Sequence, residues 1–291
     1  MANAAYHPEL MQGKTVLITG GGSGLGLGMA KGVIRHGGNI AICGRTESKL
    51  QNAIKELEAK ATGGARASYY VCDVRDYEAV GQMLDAIEKD YGQLDGLVNN
   101  AAGNFLAASE DLTPNGFRTV VDIVLQGSFN CTQQLGARWI EKGQKGSIVS
   151  IVTTYTQSGC AFVLPSACAK AGVEAMMNSL AFEWGPHGIR LNSIAPGPFP
   201  TEGAWSRLVP DPSFNETMQK RNPLQRFGEP EELADLALYL LSDLSAYMSG
   251  SVIAIDGAER HQGAQFNAIT ELFPREQLKQ VFRAMKESRK S

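Results

Sequence analysis

The chain alternates short apolar segments with longer segments whose apolar residues recur at helical spacing. The short segments, often rich in β-branched residues, predict seven strands, at 15–19, 39–43, 67–74, 94–99, 146–152, 189–196 and 251–256. The segments between them include predicted helices at 76–91, 113–141 and 165–185. Strands that alternate with helices imply right-handed crossovers within one parallel sheet. We therefore predict an α/β fold, with a single-domain, doubly wound, seven-stranded parallel sheet that carries helices on both faces.

The alternation of strands and helices is interrupted once, and it ends before the C-terminal part of the chain. Residues 1–260 are predicted to form a Rossmann-type dinucleotide-binding and catalytic domain. The segment at about 198–224 breaks the pattern with Gly, Pro and aromatic residues and is predicted to be a lid or substrate insertion. Residues 261–291 contain an amphipathic helix and are predicted to be a C-terminal helical extension, packed on the domain or on a partner subunit.

Composition and charge exclude several classes of protein. Of the 291 residues, 43% are hydrophobic and 20% charged, which is typical of a globular protein. The net charge of -3 and the lack of a basic block argue against a nucleic-acid partner. No apolar run approaches the ~20 residues that cross a bilayer, and no targeting segment is seen, so we expect a cytoplasmic protein without a membrane partner. The five cysteines form no CxxC pair, so neither a disulfide framework nor a metal site is expected.

A glycine-rich turn after the first predicted strand indicates a phosphate-binding site. The sequence TVLIT is followed by GGGSGLGLG and then by a helical pattern. Such a turn directs backbone N–H groups and a helix N-terminus at a phosphate. A glycine cluster alone is weak evidence, but its place between a strand and a helix strengthens it. We expect the turn to contact a dinucleotide through Thr19, Gly20, Gly22, Ser23, Gly24, Leu25 and Gly26.

The ends of the next two strands predict which dinucleotide binds. An acidic residue there would hold the two ribose hydroxyls of NAD, whereas Arg45 and Thr46 offer a cation and a hydroxyl that suit a 2'-phosphate. NADPH is therefore the expected cofactor, although Arg45 as a plain solvated arginine is the alternative. Asp73 ends the third strand, where it could hold the adenine edge. Arg75 could reach the 2'-phosphate or a second anionic ligand.

Four motifs, in order over about residues 11–260, resemble the short-chain dehydrogenase/reductase family: TGGGSGLG, NNAAG, the lysine at 170 and PGPFPT. Within that family, NNAAGNF, PSACAKAGVEAM and TEGAWSRL resemble 2,4-dienoyl-CoA reductases, particularly the mitochondrial type. The resemblance implies that the cofactor also contacts Val74, Asn100, Ala101, Lys170, Pro196, Gly197, Pro198, Phe199 and Thr201. It implies that an acyl-CoA thioester, a 2,4-dienoyl-CoA, contacts Arg75, Phe105, Tyr155 and Arg207, with Arg207 on a phosphate of coenzyme A.

Three positions depart from the usual pattern of the larger family. Ser166 stands four residues before Lys170, where a typical member has tyrosine, and Val124 stands at the usual asparagine position. Thr153 occupies the place of the usual active-site serine. A serine hydroxyl is too weak an acid to protonate a carbonyl oxygen at neutral pH. Ordinary reduction of a ketone is therefore not expected.

Reduction of a conjugated thioester has a different requirement. Hydride arriving at the far end of a 2,4-diene places negative charge on the thioester oxygen, which needs fixed hydrogen-bond donors. Tyr155 and Asn104 match the donors of dienoyl-CoA reductases. By the same resemblance Lys170 binds the nicotinamide ribose, Ser166 assists by hydrogen bonding, and Thr153 completes the catalytic set. The expected reaction is NADPH-dependent reduction of 2,4-dienoyl-CoA to 3-enoyl-CoA in unsaturated fatty-acid β-oxidation. The sequence does not name the acid that protonates the α-carbon, and water is one candidate.

Two other functions remain open at the level of sequence. One is a 3-oxoacyl or other carbonyl reductase in which Tyr155 takes the place of the missing phenol. The other is a catalytically silent NADP(H)-binding protein. The resemblance also implies a homotetramer, in which the long segments 113–141 and 165–185 pair across two-fold axes.

Overall fold

Seven parallel strands form one sheet at the centre of the protein. The computed structural model describes residues 6–201, 211 and 213–288. The strands are β1 (Thr15–Thr19), β2 (Asn39–Gly44), β3 (Ala67–Val71), β4 (Gly96–Asn99), β5 (Gly146–Ile151), β6 (Ile189–Pro196) and β7 (Val252–Ile255). Their order is β3-β2-β1-β4-β5-β6-β7, and every neighbouring pair is parallel. The predicted single-domain, doubly wound seven-stranded sheet is confirmed.

Helices cover both faces of the sheet. In the described part of the chain they are α1 (Gly24–Arg35), α2 (Glu47–Glu58), α3 (Tyr77–Tyr91), α4 (Pro114–Val121), α5 (Gly127–Glu141), α6 (Tyr155–Ser158), α7 (Leu164–Glu183), α8 (Ser213–Arg221), α9 (Pro230–Leu241), α10 (Ile269–Leu272) and α11 (Arg275–Ser288). A π-helical segment, Asp122–Gln126, joins α4 to α5. One face of the sheet packs on α1, α2 and α9, and the other packs on α3, α5 and α7.

Burial on both faces explains why the strands appear in the sequence as continuous apolar runs. All five residues of β1 are buried, and alternate residues enter opposite cores: Leu17 joins one cluster, whereas Val16 and Ile18 join the other. The strand order reverses between β1 and β4, so the loops that follow these two strands diverge. Ligands of doubly wound sheets bind in the crevice at such a point, at the carboxyl ends of the strands.

Capping residues fix where several helices begin. Asp76 precedes α3 and its carboxylate accepts a hydrogen bond from the N–H of Ala79 at 3.0 Å. Thr113 precedes α4 and accepts from the N–H of Gly116 at 3.1 Å, with proline at the first helical position. These side chains satisfy amide donors that have no partner within the helix. Each helix therefore starts at a defined distance from the strand before it.

Two predicted elements differ from the observed ones. Strand β3 was expected to reach residue 74 but ends at Val71, because the carboxylate of Asp73 accepts a hydrogen bond from the N–H of Arg75 at 3.1 Å and turns the chain. The helix expected over 113–141 contains the π-helical segment. The hydroxyl of Ser128, in the first turn of α5, donates to the carbonyl of Val124 in that segment at 2.6 Å, which competes with regular helical bonding.

The two regions beyond the regular alternation contain helices in their described parts. Helix α8 lies within the predicted insertion of about 198–224, and α10 and α11 lie within the predicted extension 261–291. Leu278 of α11 is buried, whereas Phe282 and Met285 on the same helix are half exposed. No helix within the described ranges has the length and apolar character needed to cross a bilayer.

Candidate active site

The glycine-rich turn joins β1 to α1 and is held against the end of β4. The hydroxyl of Thr19 accepts hydrogen bonds from the N–H groups of Asn100 and Ala101 at 3.0 and 2.9 Å. The side-chain amide of Asn100 donates to the carbonyls of Thr19 and Gly20 at 2.9 and 3.3 Å. Thr19 and Asn100 therefore fix the conformation of the turn, because their side chains form hydrogen bonds with backbone groups.

Glycine is required in this turn by geometry. Gly20 and Gly24 have φ angles of 66° and 55°, a region that disfavours other residues. A Cβ on Gly26 would lie 2.5 Å from the carbonyl oxygen of Gly20. Helix α1 starts directly after Ser23, whose side chain makes no capping hydrogen bond. The first amides of α1 consequently keep their hydrogen-bonding capacity for an anion at the turn.

The far end of the cleft contains the residues expected at the adenosine. The cleft is lined by residues from five parts of the chain: Gly20, Gly22, Ser23, Cys43, Gly44, Arg45, Thr46, Lys49, Leu50, Cys72, Asp73, Val74, Ala101, Ala102 and Ile123. Arg45 is exposed at its edge. The Arg75 guanidinium bonds the Asp73 carboxylate at 2.6 to 3.1 Å and lowers the pKa of that carboxyl group, with a smaller contribution from the charge of Arg45. The adenosine end of the cleft is therefore lined by one carboxylate, Asp73, and two cations, Arg45 and Lys49, and Arg75 is a third cation paired with Asp73.

The residues predicted at the nicotinamide end follow β6. A Cβ on Gly197 would lie 2.8 Å from the Cα of Asp256, so glycine is needed where the chain passes β7. A Cβ on Gly24 would lie 3.3 Å from Oγ1 of Thr201, which brings Thr201 to the glycine-rich turn. The ring of Phe199 is buried in the core, where it faces Gly228. Its side chain thus supports the loop that follows β6.

These residues fit a nicotinamide dinucleotide. The glycine-rich turn offers free amides at the start of α1, and Thr201 lies over that turn. The cleft extends from the turn to Arg45, so one ligand with a pyrophosphate and a second phosphate would match both ends.

Tyr155 and Ser166 meet where α6 packs on α7. Tyr155 starts α6, four residues after the end of β5, and its hydroxyl lies 3.2 Å from the hydroxyl of Ser166. Ser166 is 4% exposed and Tyr155 is half-buried. One hydroxyl of this pair donates the hydrogen bond and the other accepts it. The accepting hydroxyl keeps its own proton, which it can donate to a ligand. The phenol of Tyr155 therefore lies beside Ser166, the residue that stands where the larger family usually has its own tyrosine.

Lys170 lies one helical turn after Ser166 and is buried. Its ammonium donates a hydrogen bond to the carbonyl of Ile151, the last residue of β5. Burial lowers the pKa of the Lys170 ammonium from 10.5 to about 8. Thr153, also buried, follows the same strand. The lysine is therefore a positive charge at the sheet edge that gives up its proton far more readily than an exposed lysine.

Asn104 lies in the loop after β4, beside the loop that carries α6. Its amide oxygen accepts a hydrogen bond from the N–H of Phe105 at 2.9 Å, which leaves the NH2 end as the donor for a ligand. The N–H of Ala107 donates to the carbonyl of Phe162 at 3.0 Å, so the loops after β4 and β5 are joined. Phe105 packs on the core beneath this junction.

The other predicted substrate contacts have separate locations. Arg207 lies outside the described residues, as does most of the segment around it. Arg75 lies at the adenosine end of the cleft, in an ion pair with Asp73. Val124, which stands at the usual asparagine position, is buried in the π-helical segment. Its neighbour Ile123 lines the cofactor cleft, a role that the sequence alone did not indicate.

Comparison with known proteins agrees with this architecture. The model of a family described as enoyl-(acyl carrier protein) reductase matches residues 20–258. A solved short-chain dehydrogenase from Bacillus anthracis is 42% identical, with a TM-score of 0.77, and covers 85% of this chain and 96% of its own. The chain belongs to the short-chain dehydrogenase/reductase family. The resemblance noted in the sequence is confirmed, and the protein is an oxidoreductase.

Two relatives narrow the position within the short-chain dehydrogenase/reductases. A probable 2,4-dienoyl-CoA reductase 3 of Caenorhabditis elegans, named as (3E)-enoyl-CoA-producing, is 42% identical over 86% of this chain and 82% of its own length. A probable 2,4-dienoyl-CoA reductase of Bacillus subtilis, named as (2E)-enoyl-CoA-producing, is 41% identical over 86% and 97%. The two relatives thus share a reaction class and are named for different products.

A third comparison bears on the cofactor of this short-chain dehydrogenase/reductase. A solved gluconate 5-dehydrogenase of Burkholderia cenocepacia, in complex with NADP and tartrate, is 30% identical with a TM-score of 0.79. It covers 87% of this chain and 97% of its own. A nicotinamide dinucleotide is therefore the cofactor class of the cleft.

Proposed function

We propose that this short-chain dehydrogenase/reductase uses NADPH to reduce 2,4-dienoyl-CoA to 3-enoyl-CoA in the breakdown of unsaturated fatty acids. The observation that carries the proposal is the 3.2 Å contact between the hydroxyls of Tyr155 and Ser166. It supports Tyr155 as the phenolic hydrogen-bond donor of the site, beside a serine that is too weak an acid to protonate the substrate. Relatives named as 2,4-dienoyl-CoA reductases, 41 to 42% identical, support the substrate class.

The residues supply binding and electrostatic stabilisation. When bound, the nicotinamide cofactor supplies the hydride that reduces the far carbon of the diene. Tyr155 and the NH2 group of Asn104 are proposed to donate hydrogen bonds to the thioester oxygen, where the negative charge of the dienolate collects. Loss of one such donor typically costs about 3 kcal/mol, or about a hundredfold in rate.

Lys170, Ser166 and Thr153 are proposed to maintain the site around the two donors. The ammonium of Lys170 is buried at the end of β5, where it adds positive potential and can bind the nicotinamide ribose. Ser166 holds the phenol of Tyr155 through the contact between their hydroxyls. Thr153 is buried two residues after Ile151, whose carbonyl accepts the hydrogen bond from Lys170. None of these three groups has to transfer a proton to the substrate in this mechanism.

The product depends on which carbon of the dienolate takes up the proton. Protonation at the α-carbon leaves the double bond at position 3, whereas protonation at the γ-carbon leaves it at position 2. A serine at position 166 is too weak an acid to direct the proton to the γ-carbon. We therefore propose water as the proton source, and protonation at the α-carbon, where the dienolate carries most of its negative charge.

The preference for NADPH is supported by Arg45. Its exposed guanidinium lies at the edge of the cleft, at the end of β2, where a carboxylate would be needed to hold the ribose hydroxyls of NAD. Arg207 is proposed to hold a phosphate of coenzyme A, and Phe105 to contact the acyl group. Arg75 forms an ion pair with Asp73 and is proposed to support the adenosine end, and the substrate contact expected from the sequence is the alternative role.

The deciding experiment is the loss of NADPH absorbance with trans-2,trans-4-hexadienoyl-CoA. It is run beside NADH and beside acetoacetyl-CoA with the same enzyme preparation. We expect rapid loss only with the dienoyl thioester and NADPH, and a 3-enoyl-CoA as the product. Silence with the diene, or faster turnover of the ketone, would overturn the proposal.

A carbonyl reductase is the second candidate, and the same contact favours it. Because the Tyr155 hydroxyl reaches Ser166, it could act as the phenol that Ser166 replaces. This function predicts turnover of a 3-oxoacyl-CoA at a rate above the dienoyl-CoA rate. The acetoacetyl-CoA arm of the experiment therefore separates the two candidates.

The assembly and location expected from the sequence are part of the proposal. A homotetramer is proposed in which the segments 113–141 and 165–185 pair across two-fold axes. Each of these segments has an exposed phenylalanine, Phe129 on α5 and Phe182 on α7. Light scattering at micromolar concentration that gives the mass of one chain would contradict the tetramer, and fractionation of the host cell tests the cytoplasmic location.

A further inference from the structure

Glu174 is bonded to the short helix that carries Tyr155. Its carboxylate accepts a hydrogen bond from the hydroxyl of Thr156 at 2.8 Å and another from the side-chain amide of Gln157 at 3.4 Å. Thr156 and Gln157 are the second and third residues of α6, directly after Tyr155. Glu174 lies on α7, so its carboxylate joins the two helices.

Helix α6 needs such support because it has little stability of its own. It contains four residues, Tyr155–Ser158, and the residue before it, Thr154, makes no side-chain capping hydrogen bond. It ends at Gly159, whose φ is 74°. An isolated helix of one turn is unfavourable, since nucleation fixes several residues for one hydrogen bond. The position of Tyr155 must therefore be set by contacts from outside α6.

Those contacts come from one face of α7. Ser166, Lys170 and Glu174 recur at intervals of four residues, a spacing that places side chains on the same face of a helix. Ser166 contacts the hydroxyl end of Tyr155, whereas Glu174 holds the two residues that follow Tyr155 in the chain. The phenol is thus fixed at its tip by Ser166 and at its base through Glu174.

The surroundings of Glu174 are consistent with this role. The residue is half-buried, and among the described residues it forms no ion pair. Both of its recorded hydrogen-bond donors are on α6. Hydrogen bonds to an ionised carboxylate are stronger than those between neutral groups. The charge of Glu174 is therefore directed at the Tyr155 helix.

We propose that Glu174 is a positioning residue that holds α6 against α7 and so keeps the Tyr155 hydroxyl beside Ser166. The inference rests on the proposed function for its effect on rate. Its effect on the mobility of α6 is independent of any substrate. Glu174 itself touches neither the proposed substrate nor the cofactor.

The kinetic test compares four single variants with the wild type. Glu174→Ala is expected to lower kcat for hexadienoyl-CoA about tenfold, since a small misplacement of a donor is costly, with the Kd for NADPH unchanged. Glu174→Gln keeps an acceptor for Thr156 and is expected to retain most of the activity. Glu183→Ala removes a similar charge from an exposed position on α7 and is expected to match the wild type. Tyr155→Phe provides the background for a double-mutant cycle.

The cycle separates positioning from general destabilisation. If Glu174 acts through Tyr155, adding Glu174→Ala to Tyr155→Phe should lower kcat by less than about twofold further. An equal fold loss in both backgrounds would mean that Glu174 acts independently of the phenol and would overturn the inference. An unchanged kcat in Glu174→Ala alone would overturn it as well.

Amide exchange gives a readout that needs no turnover. The N–H of Gly159 donates to the carbonyl of Tyr155 at 3.0 Å, so its exchange reports the integrity of α6. We expect faster exchange of residues 155–160 in Glu174→Ala, and unchanged exchange in Glu183→Ala and Glu174→Gln. If the wild type did not turn over the diene, the proposed function would fail while this measurement still decided the role of Glu174. Exchange equal to the wild type in Glu174→Ala would overturn that role.

Discussion

The hydroxyl of Tyr155 lies 3.2 Å from the hydroxyl of Ser166, although eleven residues and a change of helix separate them in the chain. The pair joins a phenol on the loop after β5 to the first turn of α7. Ser166 is almost completely buried, so the pair orients the phenol and leaves one hydroxyl proton for a ligand. The relationship explains how a site can keep a phenolic donor after the usual tyrosine position has become serine.

Replacing Tyr155 by phenylalanine removes the phenolic donor and keeps the ring. We expect kcat for hexadienoyl-CoA to fall about tenfold or more, because the charge on the thioester oxygen loses one donor. The KM for NADPH should stay the same, since the cofactor cleft is lined by other residues. Steady-state kinetics measure both, with Tyr77→Phe as the control for a surface tyrosine. Full activity in Tyr155→Phe would remove the donor mechanism.

Asn104 can be replaced by aspartate, which has nearly the same shape as asparagine. The replacement therefore tests the NH2 donor without a change in side-chain size. Asn104→Asp replaces the NH2 donor by an oxygen that repels the developing negative charge. We expect a larger loss of kcat in Asn104→Asp than in Asn104→Ala, where the loss should be about tenfold or more. Single-turnover rates at saturating NADPH measure the difference. Equal rates in the two variants would show that Asn104 does not face the charge.

The fold was accessible from the sequence for a physical reason. The five inner strands are buried and leave continuous apolar runs in the sequence. The edge strands β3 and β7 contain no buried residue and were found from their β-branched and aromatic residues. The errors occurred where one side chain changes the backbone. The carboxylate of Asp73 ends β3 early, and the hydroxyl of Ser128 contributes to the π-helical segment, but neither effect alters the hydrophobic pattern.

The candidate site was predictable only where a motif lies within a few residues. The glycine-rich turn and the spacing of Ser166 to Lys170 are local features, so their residues could be named. The partners of Glu174 lie 17 and 18 residues away, on a helix too short to leave a periodic pattern. The interval of four residues from Lys170 to Glu174 places both side chains on one face of α7. The sequence does not show that α6 packs on that face, so it did not indicate a role for Glu174.

The preference for NADPH should depend on Arg45. Arg45→Ala removes a cation from the cleft edge, and we expect the KM for NADPH to rise about tenfold while the KM for NADH changes little. The exposed Lys60 lies two residues after the end of α2, so Lys60→Ala controls for loss of surface charge. Initial rates at several salt concentrations measure the effect, which should shrink as salt screens the pair. Equal increases in both KM values would assign Arg45 a role other than recognition of the 2'-phosphate.

We expect Lys170 to favour the reaction and to lower the free energy of unfolding of the protein. Its pKa falls from 10.5 to about 8 on burial, which corresponds to about 3 kcal/mol against the charged form. Replacing Lys170 also removes its hydrogen bond to the Ile151 carbonyl, and that loss offsets about 1 kcal/mol of the gain in stability. We therefore expect Lys170→Met to raise the free energy of unfolding by about 2 kcal/mol at pH 7, with little remaining activity.

The pH dependence identifies the ammonium as the cause of that difference. Below about pH 8 the lysine is protonated in both the folded and the unfolded protein, so the full cost of burying the charge is present. Between about pH 8 and 10.5 the unfolded chain binds more protons, and the wild type gains stability as the pH rises. Denaturant titrations should therefore show the advantage of Lys170→Met shrinking across this window. An advantage that stayed constant with pH would come from packing, and the charge of Lys170 would then carry no cost.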